Sequence, residues 1–293
     1  MLKVSAIITT HNRIECLKYA IDSVKRQTYK NIECIVVSDN SSDGTNEYCA
    51  SVDDLKLVII PESESQGGNY ARNLGIKTST GEFVAFLDDD DIWNSTKIEK
   101  QLKLALEKNV DCVYCGLNRN YYKNGHIVTS TPQLPNPIMR GDVSKEILCR
   151  IMTTTSCLMV RRTALLNIGC FDENIKFWQE YELTIRLAQI TKIFYVNEVL
   201  CEYMVNADDK NRLTNKVDGW KTSVAYIYHK HKGLYDKQNL IDKYLTKLTY
   251  AVDVNERTRS AGMKWQYIWY RFLLNTFYIP ARIILKYKIL VAK

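Results

Sequence analysis

The chain has no run of about 18 uncharged apolar residues, so no transmembrane helix is expected. It begins Met1-Leu2-Lys3-Val4 and runs straight into a strand pattern, so no signal peptide is expected and the reaction is expected in the cytoplasm. The nine cysteines are odd in number. Several sit in apolar runs such as Glu33-Cys34-Ile35-Val36-Val37, so no disulfide framework is expected. Cys112-Val113-Tyr114-Cys115 lacks the second CxxC of a zinc site and reads as packed strand. Gly67-Gly68 lacks the spacing of the dinucleotide-binding and P-loop fingerprints. There is no internal repeat and no low-complexity segment. Acidic side chains are missing altogether from residues 257–293, which hold eight Lys or Arg, whereas the preceding 256 residues hold 32 basic and 33 acidic groups. The net charge of +7 therefore belongs to the tail.

The 293 residues, 46% of them hydrophobic, can build one large domain or two modest ones. Strand patterns at 4–10, 32–37, 55–60, 83–87 and about 111–117 alternate with helical ones. The first helix, over 13–27, carries Ile14, Leu17, Ala20, Ile21 and Val24 at helical spacing, with Asn12 as its expected cap. These strands are apolar on both faces, as buried parallel strands are. Pro132, Pro135 and Pro137 predict a loop over 120–145. Further strands are expected at 154–160 and 192–196 and a helix at 179–190, with a polar segment at 206–218 and mainly helices after 219.

The densest chemical signal is Phe83-Val84-Ala85-Phe86-Leu87-Asp88-Asp89-Asp90-Asp91. An apolar strand ends in four carboxylates, which repel one another and resist burial unless a cation neutralises them. Carboxylate oxygens suit Mg²⁺ or Mn²⁺, often shared with substrate phosphates. Alternate residues leaving a strand share a side, which pairs Asp88 with Asp90 and leaves Asp91 to cap the next segment. A solvated acidic loop is the plainer alternative. Thr9, His11 and Asp39 follow the first two strands, at the edge where ligands of open α/β sheets bind. Asp39 can accept from a uracil N–H or simply cap the turn at 40–43, and His11 can stack on a base or bond to it. Arg72, beyond Gly67-Gly68, can reach a diphosphate, hold the acidic cluster or form an ordinary surface ion pair. Glu180 and Glu182 flank Tyr181 after Phe177-Trp178-Gln179, where aromatic neighbours can raise a carboxyl's pKa and make a usable base. Surface helices also carry such glutamates routinely.

The tail interleaves bases and aromatics in Lys264-Trp265-Gln266-Tyr267-Ile268-Trp269-Tyr270-Arg271-Phe272 and again in Arg282-Ile283-Ile284-Leu285-Lys286-Tyr287-Lys288. This composition suits the interface of an anionic bilayer, favouring peripheral contact with the inner membrane face through 257–293. Packing on the body or a homo-oligomer contact is the second reading. Nucleic acid is the weakest, since the excess charge is confined to the tail.

These residues together resemble the family 2 glycosyltransferases, of GT-A fold. The blocks are Val4-Ser5-Ala6-Ile7-Ile8-Thr9-Thr10-His11-Asn12, Val36-Val37-Ser38-Asp39-Asn40-Ser41-Ser42-Asp43-Gly44-Thr45, Gly68-Asn69-Tyr70-Ala71-Arg72-Asn73-Leu74-Gly75, Phe86-Leu87-Asp88-Asp89-Asp90-Asp91-Ile92-Trp93 and Gly169-Cys170-Phe171-Asp172-Glu173 leading to 179–187. The resemblance spans roughly residues 3–205. It implies an α/β GT-A nucleotide-sugar-binding fold with a mostly parallel central sheet and a helical C-terminal region. The expected division is a nucleotide-sugar half at 1–115, an acceptor half at 116–218 and a basic helical region at 219–293.

The resemblance further implies inverting transfer from a UDP-sugar, with Asp39 at the uracil, Thr9 and His11 beside the nucleoside, and Arg72 near base and pyrophosphate. Asp88 and Asp90 would be the acidic positions of the DxD motif, holding Mn²⁺ or Mg²⁺, and Asp88 and Asp89 would also belong to the UDP-sugar site. Ser156 would lie in the strand approaching the acceptor. Three departures stand out. His11 replaces the usual tyrosine, Ser38-Asp39 the usual aspartate pair, and Gln179-Glu180 the usual Glu-Asp pair. Glu180 is the expected general base, with Glu182 as runner-up. Lys210 or Arg212 would close over the diphosphate, on charge and position alone. The expected acceptor is a hydroxyl of a lipid-linked glycan, such as an undecaprenyl-diphosphate-linked one, in bacterial capsule or other surface polysaccharide synthesis. A sugar-phosphate nucleotidyltransferase and a non-catalytic nucleotide-sugar-binding protein are the competing readings.

Overall fold

The computed structural model describes residues 1–206 and 216–292. Its first half alternates strands β1 (Val4–Thr10), β2 (Ile32–Ser38), β3 (Leu55–Ile59) and β4 (Phe83–Asp88) with helices α1 (Ile14–Lys25), α2 (Thr45–Ala50) and α3 (Gly68–Thr78). Strand β5 (Ile92–Trp93) and helix α4 (Lys97–Lys108) follow, then β6 (Cys112–Lys123), β7 (His126–Gln133), β8 (Met159–Arg161), α5 (Arg162–Asn167), α6 (Gln179–Ala188) and β9 (Ile193–Asn206). The described chain ends in α7 (Val217–Lys230), α8 (Lys232–Asp236), α9 (Leu240–Ser260), α10 (Lys264–Asn275) and α11 (Ile279–Val291). One sheet runs in the order β3-β2-β1-β4-β8-β6-β9-β5, with β7 paired to β6. The β3-β2-β1-β4 part is parallel, β8 is antiparallel to both its neighbours, and β6 runs parallel to β9. This is the mixed, mostly parallel α/β architecture expected from the sequence.

The strands read apolar on both sides because each face of the sheet is covered. Ile7, Val37 and Phe86 pack with α3, α6, α7 and α9 on one face, while their neighbours Ile8, Val36 and Leu87 pack with α1 and α4 on the other. Gly75 sets how closely α3 approaches β1. A Cβ there would meet the Ile7 Cγ2 at 2.5 Å, so any larger residue lifts the helix off the sheet.

Four local expectations are corrected. The first is the strand over 154–160: Thr155–Cys157, with Ser156, form a 3-10 turn and only Met159–Arg161 pair as β8. Secondly, Asn12 does not cap α1. It adopts a left-handed conformation (φ 53°) and its Oδ1 accepts from the Ser42 N–H at 2.7 Å, while Asp43 Oδ2 accepts from the Ile14 N–H at 3.0 Å. The first helical donor is thus satisfied from the loop after β2. Thirdly, 120–145 is not simply a loop. β6 continues to Lys123 and turns into β7, which takes Pro132 opposite Asn118. β7 is exposed along its whole length, and an edge strand tolerates a missing N–H. Fourthly, the 192–196 strand extends to Asn206, because β6 gives it a long parallel partner.

All nine cysteines are free, and Cys112 and Cys115 lie buried in β6. Among the described residues no helix is long and apolar enough to cross a membrane. α10 and α11 pack on α9 through a small cluster including Leu245, Leu248, Ala251, Tyr278 and Ala281.

Candidate active site

Parallel pairing aligns Thr10 with Ser38 and Thr9 with Asp88, so β1, β2 and β4 end at one edge. An open cleft of about 560 Å³ lies there. It brings together Thr9, His11, Asp39, Arg72, Asp88, Asp89 and Asp90, which stand up to 81 positions apart in sequence.

Asp39 is buried and holds the loop that starts α3. Its Oδ2 accepts from Ser65 Oγ at 2.6 Å and from the Gly67 N–H at 2.8 Å, and its Oδ1 accepts from the Gln66 N–H at 2.8 Å. Gly67 takes φ 89°, a conformation that glycine adopts freely. Asp39 therefore does not cap the turn at 40–43; it fixes the floor of the cleft, with a lone pair of Oδ1 still available. His11 Nδ1 lies 2.5 Å from the Asp39 carbonyl oxygen. A carbonyl only accepts, so the proton sits on Nδ1 and the ring orientation is fixed.

The four carboxylates divide into different roles. β4 stops at Asp88, and the Asp91 N–H turns back to the Asp88 carbonyl at 3.0 Å, so strand alternation does not continue through the cluster. Asp88 and Asp90 nevertheless both line the cleft. Asp91 is buried, accepting from Ser156 Oγ at 2.5 Å and from the Met204 N–H at 3.1 Å. It is a brace to β9 rather than a cap. Ser156 Oγ also accepts from the Asp88 N–H at 3.1 Å, so one hydroxyl fixes both ends of the acidic turn.

Burial and mutual repulsion raise two of the carboxyls: Asp89 reaches about 6 through burial and Asp90, and Asp91 is pushed well up by burial and by Asp90 and Asp88. Burial raises Asp90 too, against the pull of Arg13. Two arginines offset the charge. Arg13 lies 3.2 Å from Asp89 and 2.9 Å from Asp90, and Arg72 lies 2.6 Å from Asp88. Arg13 escaped the sequence reading, although it directly follows His11-Asn12 at the exit of β1. Tyr122, Tyr203, Met204 and Asn206, which form another wall, were hidden by the underestimated lengths of β6 and β9.

The donor chemistry fits a hard divalent cation. Among the described residues no three His, Cys, Asp or Glu side chains converge into a ready cage. One or two carboxylates completed by phosphate oxygens is the arrangement Mg²⁺ commonly takes.

Arg72 carries the geometry across to α6. Its Nη2 holds Asp88, while its Nη1 donates to Gln179 Oε1 at 2.9 Å, and the guanidinium stands over the Phe171 ring. Gln179 begins α6, which is entered through Trp178 in a left-handed conformation (φ 58°). A bulky residue held at positive φ is a strained position that its surroundings must over-determine. Here the indole N–H donates to Asp253 Oδ2 at 3.1 Å and the ring packs edge-on against Tyr181 and Trp220. Glu180 directly follows Gln179. Burial raises its carboxyl above the ordinary range against the pull of Arg72, with Asp88 adding to the rise; Glu180 is not itself among the residues that line the cleft. Among the described residues it has no ion pair.

Glu182 is its opposite. It is fully buried and accepts from Arg186 (2.6 Å), Lys230 (2.8 Å) and His231 (3.0 Å). Burial works against its charge, but these donors win and pull it down to about 2. Such a carboxylate holds α6 to α7 and is too weak a base for the runner-up role expected from the sequence. Lys210 and Arg212 lie outside the described residues.

Residues 5–169 match the family model described as Glycosyl transferase family 2. A glucosyltransferase of Escherichia coli named for UDP-Glc and α-D-GlcNAc-diphosphoundecaprenol is 31% identical over 57% of this chain and 63% of its own length. Uncharacterized glycosyltransferases of Rickettsia are matched over as much as 69% and as little as 29% of their length. The structure of Staphylococcus aureus TarS with UDP-GlcNAc aligns at TM-score 0.64 and 18% identity, over 92% of this chain and 79% of that one. The mannosyltransferase PcManGT from Pyrobaculum calidifontis, with GDP-Man and Mn²⁺, aligns at 0.62 and 17% identity, over 99% and 80%. With the family model covering more than half of the chain and GT-A enzymes as structural neighbours, the protein belongs to glycosyltransferase family 2.

Proposed function

We propose that the protein transfers a hexose or N-acetylhexosamine from a UDP-sugar to a hydroxyl of a lipid-linked glycan, with inversion. The observation that carries this reading is Glu180: a carboxyl of raised pKa with no ion pair among the described residues, next to the Gln179–Arg72–Asp88 bridge to the acidic cluster. Glu180 takes the proton from the acceptor hydroxyl as its oxygen attacks the anomeric carbon. The bond from that carbon to the diphosphate oxygen breaks, and UDP departs on the opposite side. Attack from the face away from the leaving group gives inversion.

Asp39 and His11 hold the nucleoside end, and Thr9 lines the wall between them and Asp88. Asp90 and Asp88 would hold Mn²⁺ or Mg²⁺, which supplies positive charge against the departing diphosphate. Arg72 keeps Asp88 and the start of α6 in register while the acceptor is deprotonated. The lipid-linked acceptor and the UDP donor follow the Escherichia coli relative's name, and surface polysaccharide synthesis is the matching setting; an Erwinia amylovora relative is named for amylovoran biosynthesis.

The test is UDP release from a panel of UDP-sugars with Mn²⁺ and an undecaprenyl-diphosphate-linked acceptor. Acceptor-stimulated release from one donor, lost in Glu180→Gln, supports the reading. Tight UDP binding without turnover under any pairing argues for a binding protein instead, and no UDP binding removes the uridine assignment.

A further inference from the structure

We propose that the outward face of α10 and α11 docks on an anionic lipid bilayer. Each helix has two apolar stripes. The inner stripe is accounted for, since Tyr270, Leu273, Ala281, Ile284 and Leu285 pack with α9. The outer stripe is not. Trp265, Ile268, Trp269 and Phe272 recur at helical spacing on α10, and their exposure runs from 45% to 80%. On α11, Ile283, Tyr287 and Leu290 do the same at 62% to 70%. Each helix thus turns a stripe of large apolar side chains to solvent, the kind of exposed apolar surface that marks an interaction site.

Charge selects the occupant. Lys264, Arg271, Arg282 and Lys286 are exposed beside these stripes, while Lys288 is committed to Asp242 at 3.0 Å. No carboxylate side chain occurs from residue 257 onward. A second copy meeting this face through a two-fold axis would set bases against bases, with no acid to offset them. An anionic headgroup layer offers the opposite charge to the bases and an apolar layer beneath it to the rings. Trp and Tyr are the side chains that favour that boundary. Neither helix is long and apolar enough to span, so the geometry is that of helices lying in the interface plane. This surface is separate from the donor cleft, and its failure would leave the transferase reading untouched.

The test is sedimentation of the full chain with vesicles of phosphatidylglycerol and phosphatidylcholine in equal parts, and with phosphatidylcholine alone, without any sugar nucleotide. Binding is expected to the mixed vesicles, weakened by salt and about fivefold weaker for each of Arg282→Gln and Lys286→Gln. Trp269→Ser with Phe272→Ser is expected to abolish it, with an unchanged circular dichroism spectrum because both side chains already face solvent. Absence of vesicle binding by the wild-type chain overturns the proposal. So does equal binding to phosphatidylcholine alone, or a concentration-dependent dimer that the Trp269/Phe272 double variant abolishes while vesicle binding persists.

Discussion

Glu180 and Glu182 stand two residues apart on one helix and live in opposite environments. A helix turns about 100° per residue, so the two carboxylates leave α6 on different sides. Glu182 meets Arg186 of its own helix, Lys230 at the end of α7 and the adjoining His231, and ionises with ease. Glu180 is half-buried, without an ion pair among the described residues and pushed the other way by burial. Burial alone does not say what a carboxylate is for: its partners do. A carboxylate saturated with donors holds structure. One that is desolvated without a partner is poised to take a proton.

Neutralising each member in turn tests this contrast most severely. Glu180→Gln should lower kcat by about 10²–10⁴-fold, with thermal stability equal to or above wild type, because the charge removed is one that the folded state disfavours. Glu182→Gln should do the reverse: a loss of about 3 kcal/mol at neutral pH, measured by urea unfolding, with the catalytic group intact. The sign follows from the direction of the shift. Glu182 is depressed from 4.5 to about 2, so its contribution is complete above about pH 4.5 and fades as pH falls towards 2. The stability gap between wild type and Glu182→Gln should close over that window.

Smaller effects are expected nearby. Ser156→Ala removes the donor to Asp91 and the acceptor of the Asp88 N–H, and should cost about 1–3 kcal/mol, seen as a lower melting temperature. The acid limb of kcat against pH should lie above the ordinary carboxylate range, because a base of raised pKa loses its proton only at higher pH. A limb at or below that range would separate Glu180 from the proton transfer.

The parallel half was legible because its strands are buried on both faces and so read as unbroken apolar runs, and because the acidic turn sits at the end of one. The hairpin β6–β7 was not, since an edge strand tolerates Pro132 and the local residues do not reveal that it is an edge. The cleft residues Thr9, His11, Asp39, Arg72, Asp88 and Asp90 were legible as residues near strand ends. Their bonding was not. That Asp39 holds the loop at 65–67, that Asp91 turns inward to Ser156, and that Arg13 neutralises Asp89 and Asp90 all depend on partners 26 to 77 positions away. Glu182 could not be separated from Glu180 by sequence spacing, because Lys230 and His231 arrive from the far end of α7, about 50 residues on.

The most direct measurement is acceptor-dependent UDP release by wild type, Glu180→Gln and Glu182→Gln, side by side with Mn²⁺ at neutral pH and a temperature where all three remain folded. Turnover is expected of wild type and Glu182→Gln, with its loss in Glu180→Gln. Undiminished turnover in Glu180→Gln would contradict the assignment of Glu180 as the general base.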